Sequence, residues 1–196
     1  SLFLHDAERW IKQAEIAASM SLEALQANMK PYTSPLHELR GFRGAVTCAE
    51  NLRRVMSGSD LMTGRVAVKV QDAYSMRSTP QVVGSVRDLM AYTRTQVEIE
   101  LNGAADNPVF GPVDDVVLPG ANFQATPVAM PLDMVGAAIA MVSVLSERRL
   151  NRLLNPALSV GLPAFLTAQV GLNSGFMIAQ VTAAALVFNK VFFAQT

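Results

Sequence analysis

The 196-residue sequence is short of charge: 16% of its residues are Asp, Glu, Lys or Arg, against about 25% in typical soluble domains. Its 16 basic residues balance 16 acidic ones, so the formal net charge is zero. Without a basic surplus there is no chain-wide pull toward phosphate backbones, and nucleic acid is not an expected partner. Cysteine is almost missing. Cys48 stands alone, which excludes an internal disulfide and points to a cytoplasmic setting. The only histidines, His5 and His37, have no second Cys or His at ligand spacing, so no metal is expected. The opening SLFLHD has neither a basic segment nor a long apolar run, so it does not read as a signal peptide. It also lacks an initiating Met, and a junction is expected there. There is no Gly-rich phosphate loop, no plausibly spaced Ser/His/Asp set and no paired-carboxylate signature.

What the chain has in surplus is apolar side chain. Hydrophobic residues make up 51% and the mean hydropathy is +0.27, which excludes disorder. Such a chain spans a membrane, assembles with partners or belongs to something larger. Pro127–Ser146 carries one charge, Asp133, and Phe176–Thr196 carries only Lys190. Both approach the ~20 residues that a membrane span needs. The first is rich in Ala, Gly, Ser and Pro, and its Asp would be costly in lipid. The second is interrupted by Gln180, Thr182, Asn189 and Lys190. Helices buried on nearly all sides explain both better, and no membrane partner is expected.

Apolar spacing of three and four predicts five helices, over residues 1–30, 36–58, 79–102, 127–154 and 174–192. Pro31 ends the first, and Thr79 with Pro80 reads as N-cap and first helical residue of the third. Pro131 clashes with a helix starting at Pro127, which moves the expected start toward Met130. Residues 103–125 hold Asn107-Pro108, Gly111-Pro112, Asp114-Asp115 and Pro119-Gly120 around short apolar pairs, the pattern of an irregular loop with a small hairpin. The expected fold is all-α, a bundle of long antiparallel helices forming a single helical domain over 1–196.

Three loop segments carry unusual polar and aromatic residues. In Val70–Gln81, Arg77 stands just before a helix start, where free N–H groups favour anions, and its fork can grip a carboxylate bidentately. Tyr74 lies three residues away, and a phenol near a cation can gain acidity and serve as a base. The plainer alternative has Tyr74 capping the core and Arg77 pairing with Asp72 or a helix end. In Pro119–Pro127, Asn122 and Gln124 offer amides to a ligand, or the segment is a turn plugged by Phe123. In Gly171–Phe176, Ser174 reads as a cap of the last helix.

The run VQDAYSMRSTPQVVG at Val70–Gly84 resembles the signature segment of the histidine and aromatic amino-acid ammonia-lyases. Other segments agree in order: AEIAASMSLEAL from Ala14, LHELRGFRGAVTCAENLRRVMSGSD from Leu36, AADNPVF from Ala104, PGANFQATPVAM from Pro119, SERRLNRLL from Ser146, then LPAFL and GLNSGFMIAQVTAAAL to Leu186. The resemblance implies an enzyme that eliminates ammonia from an amino acid, or an aminomutase that re-adds it. Its electrophile is a methylidene-imidazolone (MIO) group made from an internal Ala-Ser-Gly. It also implies a homotetramer whose active sites are each built from several subunits. Carried over by motif, Tyr74 is a catalytic residue of the site wall, Arg77 binds the substrate carboxylate, Gln71 is a polar substrate-binding residue, and Phe123 is an aromatic beside the prosthetic group.

The departures are specific. No Ala-Ser-Gly occurs, because Asn173-Ser174-Gly175 and Met56-Ser57-Gly58 belong to other segments of the pattern. The tail VFNKVFFAQT after Leu186 strays from it. The expectation is therefore a fragment of a larger lyase, inactive and self-associating on its own, with no cofactor of its own making. A non-catalytic oligomerisation module or degenerate pseudoenzyme is the alternative. Gln124 and Thr126 look like the phenylalanine branch, whereas the SERR and LPAFL segments look like the histidine branch.

Overall fold

The structure is a computed structural model that describes residues 1–63, 69–111, 113 and 115–193. Ser1 starts α1 (Leu2–Ala24), its Oγ accepting from the Leu4 N–H at 3.4 Å. The buried face of α1 carries Leu4, Ala7, Ile11, Ala18 and Leu22, at steps of three, four and seven. The helix ends at Ala24, short of the expected residue 30, because Gln26 takes φ 49° and turns the chain. A single 3₁₀ turn at Lys30–Tyr32 follows.

The second expected helix is two helices, α2 (Ser34–Arg40) and α3 (Arg43–Val55). Gly41 separates them at φ 80°, its N–H closing α2 on the His37 carbonyl at 3.1 Å. A left-handed residue of this kind ends a helix cheaply only as glycine. After α4 (Tyr74–Arg77), the third predicted helix is found as α5 (Thr79–Asn102). Its N-cap is Ser78 rather than Thr79, whose Oγ1 donates back to the Met76 carbonyl at 2.7 Å.

In the loop, β1 (Val109–Phe110) pairs antiparallel with β2 (Val117–Leu118), and the Gly111 N–H donates to the Val116 carbonyl at 2.8 Å. Pro112 and Asp114 of the expected turns lie outside the described residues. The fourth helix, α6 (Thr126–Leu154), starts before Pro131 and keeps it inside. At that position the missing N–H costs only one bond of the first two turns. The Pro131 carbonyl accepts from buried Thr93 Oγ1 at 3.3 Å. The last helix, α7 (Met177–Phe193), begins three residues later than expected. Gly175 packs so tightly that an added Cβ would lie 2.2 Å from the Phe165 carbonyl oxygen.

The architecture is an all-α bundle of long antiparallel helices with the small hairpin at one end. α5 is central, packed on α3 on one side and on α6 on the other. α1 touches α3, α5 and α6, and α7 packs chiefly on α6. α3 and α5 cross backbone to backbone: an added Cβ on Gly44 would lie 2.0 Å from the Gly84 carbonyl oxygen, and one on Gly84 would lie 2.3 Å from the Ala45 nitrogen. Asp88 of α5 accepts the Gly44 N–H at 2.7 Å. Near this crossing, buried Glu15 of α1 receives Arg87 of α5 through two bonds of 2.7 and 2.6 Å, and Asn51 of α3 at 2.9 Å. Burial works against the Arg87 charge, but bonding to Glu15 outweighs it and its pKa is raised. Cys48 is fully buried in the same region, and burial pushes its thiol well above the ordinary range.

Among the described residues α6 is the one helix long and apolar enough to cross a membrane by length and composition, with 28% of its most apolar window buried. Its exposed side carries Met130, Met134 and Met141, and Ile178, Val181 and Leu186 of α7 are exposed as well. The apolar surplus therefore lies partly on open helix faces.

Gly44→Ala and Gly84→Ala should each lower stability by at least the ~1–3 kcal/mol typical of overpacking, since backbone must move to admit the methyl. Denaturant titration checks this; a loss under about 0.5 kcal/mol would contradict the crossing. Cys48 should resist thiol-specific labelling in the folded chain and react only on unfolding, a contrast readable by mass spectrometry.

Candidate functional site

Residues 69–79 thread from an irregular segment through one helical turn into α5. This segment cannot satisfy its backbone by regular structure, so side chains do it. Asn28, just beyond α1, donates its backbone N–H to Asp72 Oδ2 at 2.6 Å and its side-chain amide to the Val70 carbonyl at 3.0 Å and the Lys69 carbonyl at 3.3 Å. The Asn28 Oδ1 accepts the Lys30 N–H at 3.0 Å. Asp72 is thus committed to Asn28, and no ion pair joins it to Arg77 among the described residues, contrary to the plainer expectation.

α4 is held through its own carbonyls. The hydroxyls of buried Tyr32 and Thr79 both donate to the Met76 carbonyl at 2.7 Å. Burial and, next, the charge of Asp72 push the Tyr32 phenol far above its usual range, so it remains a donor at any ordinary pH. On the open side, the Arg77 guanidinium lies over the Tyr74 ring, 4.6 Å from its centroid. At that distance the ring face attracts the cation.

Gln71, Tyr74 and Arg77 line one cleft of about 690 Å³, together with Asn28, Gln81, Lys30 and Arg40. Among the described residues three cations line it and no acid does. Among the described residues the Arg77 Nε and the Gln81 Oε1 are buried without a hydrogen-bond partner, as is the second oxygen of Asp72, Oδ1. A donor and an acceptor left in this state are costly unless a ligand or water completes them. The arrangement suits a small molecule bearing a carboxylate.

Phe123 is not part of this cleft. It is 62% exposed in the turn before α6, beside a second cleft of about 750 Å³ lined by Asn122, Gln124, Tyr92, Glu100, Met130 and Met134. The Asn122 amide ties this turn to the Ala104 carbonyl at 3.2 Å, next to the end of α5. Arg77 precedes the first residue of α5 and Phe123 adjoins its last turn. A helix of 24 residues holds the two ends about 35 Å apart, at 1.5 Å per residue. Three of the four expected site residues are therefore brought together and the fourth is kept distant. His37 is buried with Nε2 at 2.9 Å from the Pro31 carbonyl oxygen, and no group of three or more potential metal ligands exists among the described residues.

A family model described as aromatic amino acid lyase matches residues 1–195. The chain belongs to the aromatic amino acid lyase family. A histidine ammonia-lyase from Alkaliphilus metalliredigens is 46% identical over 192 residues, which cover 97% of this chain and 38% of the relative. The crystal structure of histidine ammonia-lyase from Trypanosoma cruzi superposes with TM-score 0.85 at 38% identity, covering 97% of this chain and 35% of that one. The tyrosine aminomutase from Streptomyces globisporus gives TM-score 0.86 at 36% identity, covering 95% and 39%. The chain thus spans less than half the length of these lyase-family relatives.

Sequence reasoning did not single out Asn28, Tyr32 or Arg149 around the site. Asn28 and Tyr32 carry no periodic signal. Arg149 does, because it continues the buried stripe Val135, Val142 and Leu145 of α6, where a cation is out of place.

Asp72→Ala should strand the Asn28 N–H and cost about 1.5–3 kcal/mol, the range for a hydrogen bond to a charged group. Denaturation midpoints measure the loss, and hydrogen exchange at the Asn28 amide should accelerate more than at α3 amides. Equal acceleration everywhere would argue against a local latch.

Proposed function

We propose that this chain is the helical core of a carbon–nitrogen lyase of the cytoplasm that eliminates ammonia from histidine or another aromatic amino acid. One observation carries the reading: among the described residues the Tyr74–Arg77 cleft is lined by Lys30, Arg40 and Arg77 and by no acid, with Arg77 Nε left unpartnered. Arg77 binds the substrate carboxylate, Gln71 orients the polar part of the amino acid, and Tyr74 presents its Oη from the same wall to hold or accept a proton. The ring stacking of Arg77 on Tyr74 keeps the two at fixed separation. The relatives named histidine ammonia-lyase favour histidine as substrate. The similarity to a tyrosine aminomutase keeps re-addition of ammonia as the second reading.

The family's MIO group supplies an electrophile that makes the amine a leaving group. No Ala-Ser-Gly lies in these 196 residues, so the group comes from outside them. Of this chain's side chains, the exposed ring of Phe123 is the one to adjoin it, and an open aromatic face fits a partner contributed by other parts of the enzyme. The separation of Phe123 from Arg77 along α5 supports a homo-oligomer in which different copies supply the two groups to one site. The exposed apolar faces of α6 and α7 support the same assembly, since monomers rarely leave large apolar patches open.

The test uses the enzyme assembled with its Ala-Ser-Gly-bearing part and follows ammonia and product release. Arg77→Ala should reduce kcat/KM for the amino acid by about 10- to 100-fold, mostly through KM, from the ~1.5–3 kcal/mol of a charge-assisted bond. Oligomers mixed from Arg77→Ala and Phe123→Ala protomers should show a higher kcat/KM than oligomers of either variant alone. Absence of recovery would mean that the two residues do not meet across copies.

A further inference from the structure

Arg149 of α6 is 2% exposed, and no carboxylate pairs with it among the described residues. Burying a guanidinium without an ion-pair partner is expensive, and an aliphatic side chain would fill this place on the α6 stripe with less penalty. Its donors go instead to two acceptors: Nη1 reaches the Ser75 carbonyl at 3.2 Å and Thr79 Oγ1 at 3.3 Å. Thr79 passes the contact on, donating to the Met76 carbonyl, where the Tyr32 hydroxyl also converges. Ser75 and Met76 are the two residues between Tyr74 and Arg77. The backbone of α4 is thus gripped from its buried side by a cation, while its two end side chains face the cleft. Burial lowers the Arg149 pKa, the expected result for a charge kept from water.

We infer that Arg149 is a positioning residue: through the Ser75 carbonyl and Thr79 it fixes the one-turn helix that sets Arg77 over Tyr74 at the mouth of the cleft. A four-residue helix cannot hold its own geometry, because nucleation of an isolated turn is unfavourable. The grip links α6 to the site segment, so the stacking of Arg77 on Tyr74 depends on a residue seventy-two positions further along the chain. The consequence for catalysis rests on the reading of the cleft proposed above, but the geometry does not.

The experiment uses the whole 196-residue chain with isotope-labelled arginine and tyrosine, and reads the Arg77 Nε–Hε and side-chain resonances by NMR. Protons over an aromatic face are shifted upfield, so wild-type Arg77 should stand apart from solvent-exposed arginines. In Arg149→Met the upfield shift should fall by half or more, with far-UV circular dichroism and Cys48 protection retained. Arg149→Lys, which restores a cation and a donor, should recover part of the shift. Thr79→Val, nearly isosteric and lacking the relay hydroxyl, should also reduce it. A folded Arg149→Met protein with wild-type Arg77 and Tyr74 resonances overturns the inference. If Arg149→Met does not fold, wild-type resonances in Thr79→Val overturn it equally. A protein that shows these shifts but whose parent enzyme is indifferent to Arg77→Ala would refute the functional reading of the cleft and leave the positioning role standing.

Discussion

The contact on which the rest depends is the backbone crossing of α3 and α5 at Gly44 and Gly84. With no side chain at either of these two positions, the two backbones touch, and Asp88 closes on the Gly44 N–H. That short separation lets one carboxylate, Glu15 of α1, reach both Asn51 on α3 and Arg87 on α5. A buried carboxylate is tolerable only when its oxygens are occupied in this way. Three helices are thereby locked at one level. The end of α1 is carried to where Asn28 and Tyr32 meet the segment before α5.

From there the logic is that of polar groups taken out of water. The chain from Lys69 to Thr79 cannot pair its carbonyls within regular structure, yet it sits against the core. Buried Asn28, Tyr32, Thr79 and Arg149 supply the missing partners from behind. This leaves the outward side chains unencumbered, and among the described residues Arg77 Nε, Gln81 Oε1 and Asp72 Oδ1 are buried with no partner. The backbone of the segment is held from behind while its outward side chains stay open, which is what a preorganised binding wall requires.

The long central helix also divides the polar features of the molecule between two ends. The cation-lined cleft lies before its first residue and the Asn122–Gln124 turn lies beside its last. Under the reading proposed here, a site needing both ends must be closed by another copy. The apolar faces of α6 and α7 are the surfaces available for that closure. One geometric fact, a single helix of 24 residues, thus bears on both assembly and chemistry.

Much of this was legible in the residues. The period of Val83, Val86, Met90 and Val97 specified α5 almost to the residue, because a helix half-buried over its length must repeat its apolar positions. The polar cluster Gln71, Tyr74, Arg77 was legible too, since such residues beside a helix start are unusual in a greasy chain. The helix ends at Ala24 and Arg40 were not, because the left-handed residues Gln26 and Gly41 decide them, and neither leaves a periodic trace. By itself the sequence determined the helical class, the helix faces and the family, which are local or motif properties carried residue by residue. Only the tertiary structure decided that Asp72 belongs to Asn28 rather than to Arg77. It alone showed that Arg149 reaches back to Ser75, and that Phe123 stands far from the cleft. These are relations between residues distant in sequence, set by how closely α3, α5 and α6 approach one another.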